Sequence, residues 1–303
     1  MTMHASQSPG TGNPEPSRGP IRARAAGAGP TRNLVDGILA RDVAANQTGR
    51  VAVRYLGGPT ALLEIGGLRL LTDPTFDPPG PYPIGERALT KTIGAAATAG
   101  DLGRVDAVLL SHDQHPDNLD HAGRACLAGA PLVLSTPSAH RRLGGTVRPL
   151  TSWQHIDLPT PHGGTLRVSA VPARHGPPGC EPVTGEVTGF VVTGADLPGV
   201  YVSGDNAAFE HVRAVADQFA PIEAALLFAG AARTALLPDA YLTLTRAQAA
   251  QAAALLDARQ VVPLHFEGWT HFSQGRDTLR TAFATAGLSG RLRLLDLGEQ
   301  VTL

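Results

Sequence analysis

Lysine is almost missing from this chain of 303 residues: Lys91 is the single one, and arginine supplies the rest of the positive charge. Neither sign of charge is in excess, with 25 basic side chains against 26 acidic ones and a formal net charge of −1. A protein that grips nucleic acid by neutralising phosphates needs a basic surplus, so no nucleic-acid partner is expected. Cysteine is scarce as well. Two in the whole chain exclude a disulfide-built scaffold and point to a reducing, cytoplasmic setting. Apolar runs stop short of the ~18 residues that a membrane span requires, so no transmembrane segment is expected. Hydrophobic residues nevertheless reach 43%, the share of an ordinary soluble protein with a sizeable core.

The residues that are present are unevenly distributed. Met1 to about Asn33 is rich in Pro, Gly, Ser, Ala and Arg and carries hardly a large apolar side chain. Such a stretch cannot bury enough surface to offset its ordering entropy, so residues 1–33 are expected to form a disordered leader that catalysis does not need. It lacks the apolar run of a signal peptide. Leu34, Ile38 and Leu39 stand at helical spacing and predict a short helix leading into a single domain over 34–303.

From Val51 the pattern turns to short strands. Val51 to Leu56, Ala61 to Ile65 and Leu68 to Leu71 are apolar or β-branched runs, and Gly66-Gly67 between the last two suits a two-residue hairpin. Further strands are expected at Ala107 to Leu110, Leu132 to Ser135, Leu166 to Val171, Gly189 to Thr193, Val200 to Ser203, Ala224 to Phe228, Val261 to Phe266 and Leu292 to Leu297. Helices are expected at Asn118 to Ala128, Ala207 to Phe219, from Thr245 (capped by Gln248) to Ala258, and around Leu279 to Ala286. Strand runs followed by strand–helix alternation occur twice, which predicts two packed sheets with helices outside rather than one doubly wound sheet.

The chemistry concentrates between Ser111 and Asp120, reading Ser-His-Asp-Gln-His-Pro-Asp-Asn-Leu-Asp directly after the apolar strand Val108-Leu109-Leu110. Neutral imidazole and carboxylate suit Zn²⁺, Mn²⁺ or Fe, and a loop at a strand end can turn several of them onto one ion. Three more ligand-type residues follow predicted strands: His175 after Leu166 to Val171, Asp205 after Val200 to Ser203, and His265 after Val261 to Leu264. Strand ends are where side chains from separate strands converge. A nucleotide-binding alternative fails for want of a Gly-x-Gly-x-x-Gly or P-loop motif.

This set resembles the metallo-β-lactamase superfamily, whose usual signature is His-x-His-x-Asp-His after a strand, then a distant His, an Asp and a final His. The phrases Leu70-Leu71-Thr72-Asp73-Pro74, Val108 to Asp120 and Tyr201 to Asp205 are similar to its branch of ascorbate-phosphate lactonases and N-acylphosphatidylethanolamine phospholipases. The resemblance runs from about Val51 to Leu303. It implies an α/β fold of αββα type, two packed mixed β-sheets with helices on both outer faces. It also implies one or two Zn ions, with Mn or Fe as options, and a metal-activated water that cleaves a phosphodiester, lactone or similar small ester or amide. The implied metal ligands are His112, His115, His175, Asp117, His265 and a bridging Asp205; Asp117 and Asp205 would also orient the nucleophile or move its proton.

The loop departs from the signature. His112 and His115 are separated by Asp113-Gln114, and Asn118 stands where the last His would be. One extra loop residue reconciles the two alignments and leaves Asp113 as a reserve ligand. A di-iron redox enzyme of this fold would show a Glu in the loop, and none is there. The altered loop keeps one alternative in view: a metal-poor binding or regulatory protein of the same fold. Beyond His265, Trp269 and His271 either line the substrate pocket, with His271 as hydrogen-bond donor or general acid, or serve packing and solvent. Asp73 either braces a ligand histidine as an outer acceptor or caps a turn before Pro74. His121, His140, His155, His162 and His211 read as surface or loop residues. Neither the substrate nor the oligomeric state is named by the sequence.

Overall fold

The computed structural model describes residues 49–303. The expected leader and the helix over 34–45 lie outside the described residues. Within them the expected sandwich is present.

Three strands open the domain as a meander: β1 (Val51–Gly57), β2 (Thr60–Ile65) and β3 (Leu68–Thr72). The turn between β2 and β3 is the Gly66-Gly67 pair, with φ of 58° and 78°, a conformation that two L side chains would resist. A two-stranded hairpin follows, β4 (Gly80–Ile84) and β5 (Arg87–Lys91). It was not expected, because Pro81 and Pro83 break the strand signal; here they sit on an exposed, isolated ribbon that can spare their missing N–H donors. Parallel strands β6 (Ala107–Leu109), β7 (Val133–Ser135) and β8 (Val147–Pro149) extend the first sheet, with helices α1 (His121–Leu127) and α2 (Pro137–Leu143) between them. The second sheet holds β9 (His155–Pro159), β10 (Thr165–Pro172), β11 (Thr188–Gly194) and β12 (Leu197–Val202), then β13 (Ala224–Phe228) and β14 (Gln260–Leu264). Around these strands run the short α3 (Glu181–Thr184), α4 (Phe209–Phe219), α5 (Arg246–Leu255) and α6 (Arg276–Thr285), and β15 (Gln300–Thr302) ends the chain.

The first sheet is ordered β15-β1-β2-β3-β6-β7-β8 and the second β14-β13-β12-β11-β10-β9, each part parallel and part antiparallel. Their inner faces meet in a dry layer that includes Val53, Leu63, Leu70, Phe190, Val202 and Phe228. Outside the second sheet, Val212 and Val215 of α4, Ala249 and Ala253 of α5, and Leu279 and Phe283 of α6 cover Val191, Tyr201 and Leu227. Alanine on α5 lets that helix lie close to the strands. Outside the first sheet, Leu71 and Val108 pack with Leu119 and Leu127.

Two expectations are corrected. Helix α1 starts at His121 rather than Asn118, because Asp120 is its cap and accepts from the Gly123 N–H at 2.8 Å. Leu292 to Leu297 forms no strand beyond one isolated bridge at Leu292; the Arg276 guanidinium takes the carbonyls of Leu294 (3.3 Å) and Leu295 (2.9 Å) in place of a ladder.

Candidate metal centre

Strands β6, β10, β12 and β14 all deliver their C-terminal ends to one edge of the sandwich. There the chain carries His112 and His115 after β6, His175 after β10, Asp205 after β12 and His265 after β14. Backbone in the sparsely populated φ > 0 region clusters at the same edge: Asp73 at 23°, Ala231 at 47° and His265 at 53°. Gly204, at φ 56°, shows why the Ser-Gly-Asp phrase needs its glycine. A Cβ there would meet the Thr188 carbonyl oxygen at 2.6 Å and the Ser111 Cβ at 2.8 Å.

Seven ligand-type side chains converge in two groups, each with its ligand atoms within 4.8 Å of one another: His112, His115, His175 and Asp205; and Asp117, His265 and His271. Asp205 joins them, its Oδ2 lying 3.4 Å from His175 Nε2 and its Oδ1 3.4 Å from His265 Nε2. All six residues expected as ligands are therefore together, and His271 is with them. Its Nε2 lies 3.0 Å from Asp117 Oδ2, with His265 Nε2 3.3 Å from the same oxygen.

The outer contacts decide which ring nitrogen faces inward. Asp73 accepts from the Ser111 N–H at 2.6 Å and from its hydroxyl at 2.5 Å, and Ser111 Oγ lies 2.9 Å from His112 Nδ1. A proton on Nδ1 then leaves the lone pair of His112 on Nε2, which faces the cluster 2.9 Å from His115 Nδ1. The bracing role of Asp73 thus acts through Ser111, which sequence reasoning passed over although it stands next to the ligand. His175 gives its Nδ1 proton to the Leu242 carbonyl at 2.7 Å, so its Nε2 also faces the group.

The two residues in doubt are placed differently. Both carboxylate oxygens of Asp113 are held by the Arg142 guanidinium from α2, which occupies them and removes Asp113 as a reserve ligand. Asn118 donates its Nδ2 to Asp73 Oδ2 at 3.1 Å. Trp269 is a packing residue, 4% exposed, tilted against Tyr82 with ring centres 5.6 Å apart and with Lys91 Nζ 5.6 Å from its own ring centre. His271 instead lines the pocket. Among the described residues, the other five histidines are exposed or, for His211, half-buried.

Electrostatics separate the two groups. Burial, reinforced by His115, holds His112 well below the usual imidazole range; burial and His175 bring His115 to about 4. Both are neutral at pH 7, the state in which imidazole binds a metal. Burial alone would raise the carboxyls of Asp117 and Asp205, but the histidines beside them outweigh it and hold both below the usual carboxylate range. Burial would likewise lower His265, yet Asp205 and Asp117 push it up to about 10. Burial raises Asp73 to about 7 against its hydrogen bonds from Ser111 and Asn118.

Buried polar atoms ordinarily have partners. Here Asp117 Oδ1, both oxygens of Asp205 and both ring nitrogens of His265 have no hydrogen-bond partner. A cluster of converging donors so arranged fits one or two divalent cations.

The family model described as "Beta-lactamase superfamily domain" matches residues 68–266, more than half of the chain. A "UPF0173 metal-dependent hydrolase" of Pyrococcus horikoshii is 28% identical over 254 residues, covering 84% of this chain and all of that protein. Among solved structures, a possible metal-dependent hydrolase from Veillonella parvula superposes with a TM-score of 0.72 at 18% identity, covering 84% of this chain and 100% of that one. An isothiocyanate hydrolase from Delia radicum gut bacteria gives 0.68 at 20% identity, over 82% and 98%.

Proposed function

The chain belongs to the beta-lactamase superfamily and is a metal-dependent hydrolase, and from that premise we propose that it cleaves a small phosphodiester, lactone or related ester that carries negative charge. The observation behind the reading is the buried set of ligand atoms without partners, beside a pocket that His115, Asp117, His175 and His271 line. Zinc is the metal this donor set suits best, with Mn or Fe as alternatives. His112, His115 and His175 would hold one ion, Asp117 and His265 a second, with Asp205 between them. Cations held there supply a water of lowered pKa and polarise the ester oxygen.

The protein's own part is positioning. Asp117 lines the pocket and its Oδ1 has no partner, so that oxygen is free to orient an attacking water and accept its proton. Asp205 fixes His175 and His265 on either side of it. The pocket wall is apolar at Ile84, Leu89 and Leu242 and cationic at Arg87 and Arg233. Among the described residues Asp117 is the single carboxylate lining it. Arg87 also bonds Thr234 Oγ1 at 2.6 Å, tying the β4–β5 hairpin to the opposite wall. Positive charge beside an apolar wall favours an anionic ester with an apolar substituent over a neutral one.

The binding-protein alternative rested on Asn118, and the arrival of His271 beside Asp117 removes its main motive. A reducing, cytoplasmic setting suits the two free thiols, Cys126 and Cys180. No helix among the described residues is long and apolar enough to cross a membrane. The test is turnover of bis(p-nitrophenyl) phosphate by zinc-loaded protein, abolished by chelation and restored by metal. Arg87→Gln and Arg233→Gln should raise KM for that diester and leave neutral p-nitrophenyl acetate unaffected. Background rates on phosphodiesters, lactones and amides alike with fully loaded protein would refute the reading.

A further inference from the structure

We infer that His271 is a metal ligand, the third protein group of the second cluster, delivered from a separate loop in place of the imidazole that the first loop lacks at Asn118. The inference rests on the metal-hydrolase reading above and makes His271 something other than a proton donor to the leaving group.

The direction of the ring comes first. A general acid must present a nitrogen to the substrate, but His271 turns Nε2 onto Asp117 Oδ2 at 3.0 Å, the oxygen that His265 Nε2 also approaches at 3.3 Å. Three ligand atoms on three side chains thus share one small volume. Asn118 commits only its Nδ2, which donates to Asp73 beneath the Ser111–His112 chain of hydrogen bonds; its Oδ1 is buried without a partner, but a neutral amide oxygen is a poorer zinc donor than imidazole.

The backbone around His271 is held from both sides. Thr270 N–H donates to the Thr90 carbonyl at 3.0 Å, and Trp269 pairs with Lys91 at the end of β5. On the other side, Arg233 N–H donates to the His271 carbonyl at 3.1 Å, Phe272 pairs with Ala232, and the Ser273 and Gln274 N–H groups both donate to Gly230 at 3.1 Å. A ligand must be placed within about half an ångström, and this double anchorage supplies that precision. Gly268, at φ 88°, makes the reversal that returns the chain from His265 to the same volume six residues later. His271 Nδ1 is buried without a partner, so the ring lacks the outer acceptor that raises a ligand's basicity. The second ion is accordingly the looser of the two.

The test counts zinc in the full-length protein by plasma mass spectrometry at buffered free zinc and records the visible spectrum of the cobalt-substituted form. Wild type is expected to hold two ions and His271→Ala one. The affinity for the second should fall by more than the ~10–100-fold that losing an outer partner costs. His271→Gly should regain the second ion when imidazole is added, which separates loss of a ligand from loss of fold. A His271→Ala protein that keeps two ions and the wild-type cobalt spectrum overturns the inference. So does an Asn118→Ala protein that loses the second ion while His271→Ala keeps it. A wild type limited to one ion, unchanged by His271→Ala, overturns the inference and leaves the hydrolase reading standing. A wild type that takes up no metal at all refutes the hydrolase reading itself.

Discussion

At the first cluster, His112 and His175 each commit one ring nitrogen to a protein acceptor, the Ser111 hydroxyl and the Leu242 carbonyl. At the second, His265 and His271 have no such partner on Nδ1. The charges differ in the same sense. Burial holds His112 and His115 neutral, reinforced by His115 for the first and His175 for the second, whereas His265 is drawn toward its charged form by Asp205 and Asp117. The first cluster therefore has the tautomers of His112 and His175 set before a cation arrives, while His112 Nε2 and His115 Nδ1 lie 2.9 Å apart and share a hydrogen bond that a cation would replace. The second sets the buried Asp117 carboxylate, with Asp205 of the first cluster beside it, against His265, which takes up a proton when no metal supplies the positive charge. A preformed site binds tightly because little has to be reorganised; one that must first expel a proton binds more weakly and with steeper pH dependence.

Removing the group common to both clusters should have the largest effect. Asp205 is fully buried and touches a histidine of each cluster at 3.4 Å. Asp205→Ala should cost both ions affinity and lower kcat/KM by on the order of 10³-fold, the worth of several kcal/mol of charge stabilisation. Zinc counts and turnover on the diester check this. A variant that lost only the second ion would mean that Asp205 belongs to one cluster and does not bridge.

The contrast in charge predicts a pH effect in metal-free protein. His265 has a folded pKa of about 10 against an ordinary 6.5, so the stability it contributes is complete below about 6.5 and is lost as pH rises toward about 10. Asp73, raised to about 7, acts in the same direction at lower pH, between about 3.8 and 7. Asp117 and Asp205, both lowered, protect the fold above the ordinary carboxylate range and cease to do so in acid. Chelated protein should therefore melt at progressively lower temperature from pH 6.5 to 10, while zinc-loaded protein, with His265 neutral and bound, should not. Parallel melting curves across that range for the two forms would erase the difference drawn between the clusters.

The sequence exposed the first cluster better than the second, for a physical reason. His112, His115, His175, Asp205 and His265 each follow an apolar strand, and a strand followed by a ligand-type residue is a local pattern. The sandwich was legible in the same way, from alternating runs and glycine turns. The role of His271 depends instead on contacts distant in sequence: the bond from Thr270 to Thr90, the pairing of Phe272 with Ala232, and a β4–β5 hairpin hidden by its prolines. Arg142 was equally unreadable as the partner of Asp113, since its position depends on α2 folding back beside the loop. The expected strand at Leu292 to Leu297 failed because an arginine side chain replaced the neighbouring strand as the acceptor's partner.

Asp113 offers the smallest effect and the finest test of the loop. Its carboxylate is buried, and Arg142 Nε lies 2.9 Å from Oδ2 and 3.1 Å from Oδ1, so both oxygens are taken up by α2. Arg142 is partly exposed, with its side chain at 44%, which limits what the pair is worth. Asp113→Ala should therefore lower the melting temperature by a few degrees at most, the scale of about 1 kcal/mol in a domain of this size. Its zinc count and diester rate should stay close to wild type. His112→Ala, one residue earlier, should strip the first ion, because it removes the ligand that Ser111 and Asp73 hold in place. If Asp113→Ala emptied the site and His112→Ala did not, the loop would be shifted by one residue. The preset tautomers assigned to the first cluster would then belong to a different set of atoms.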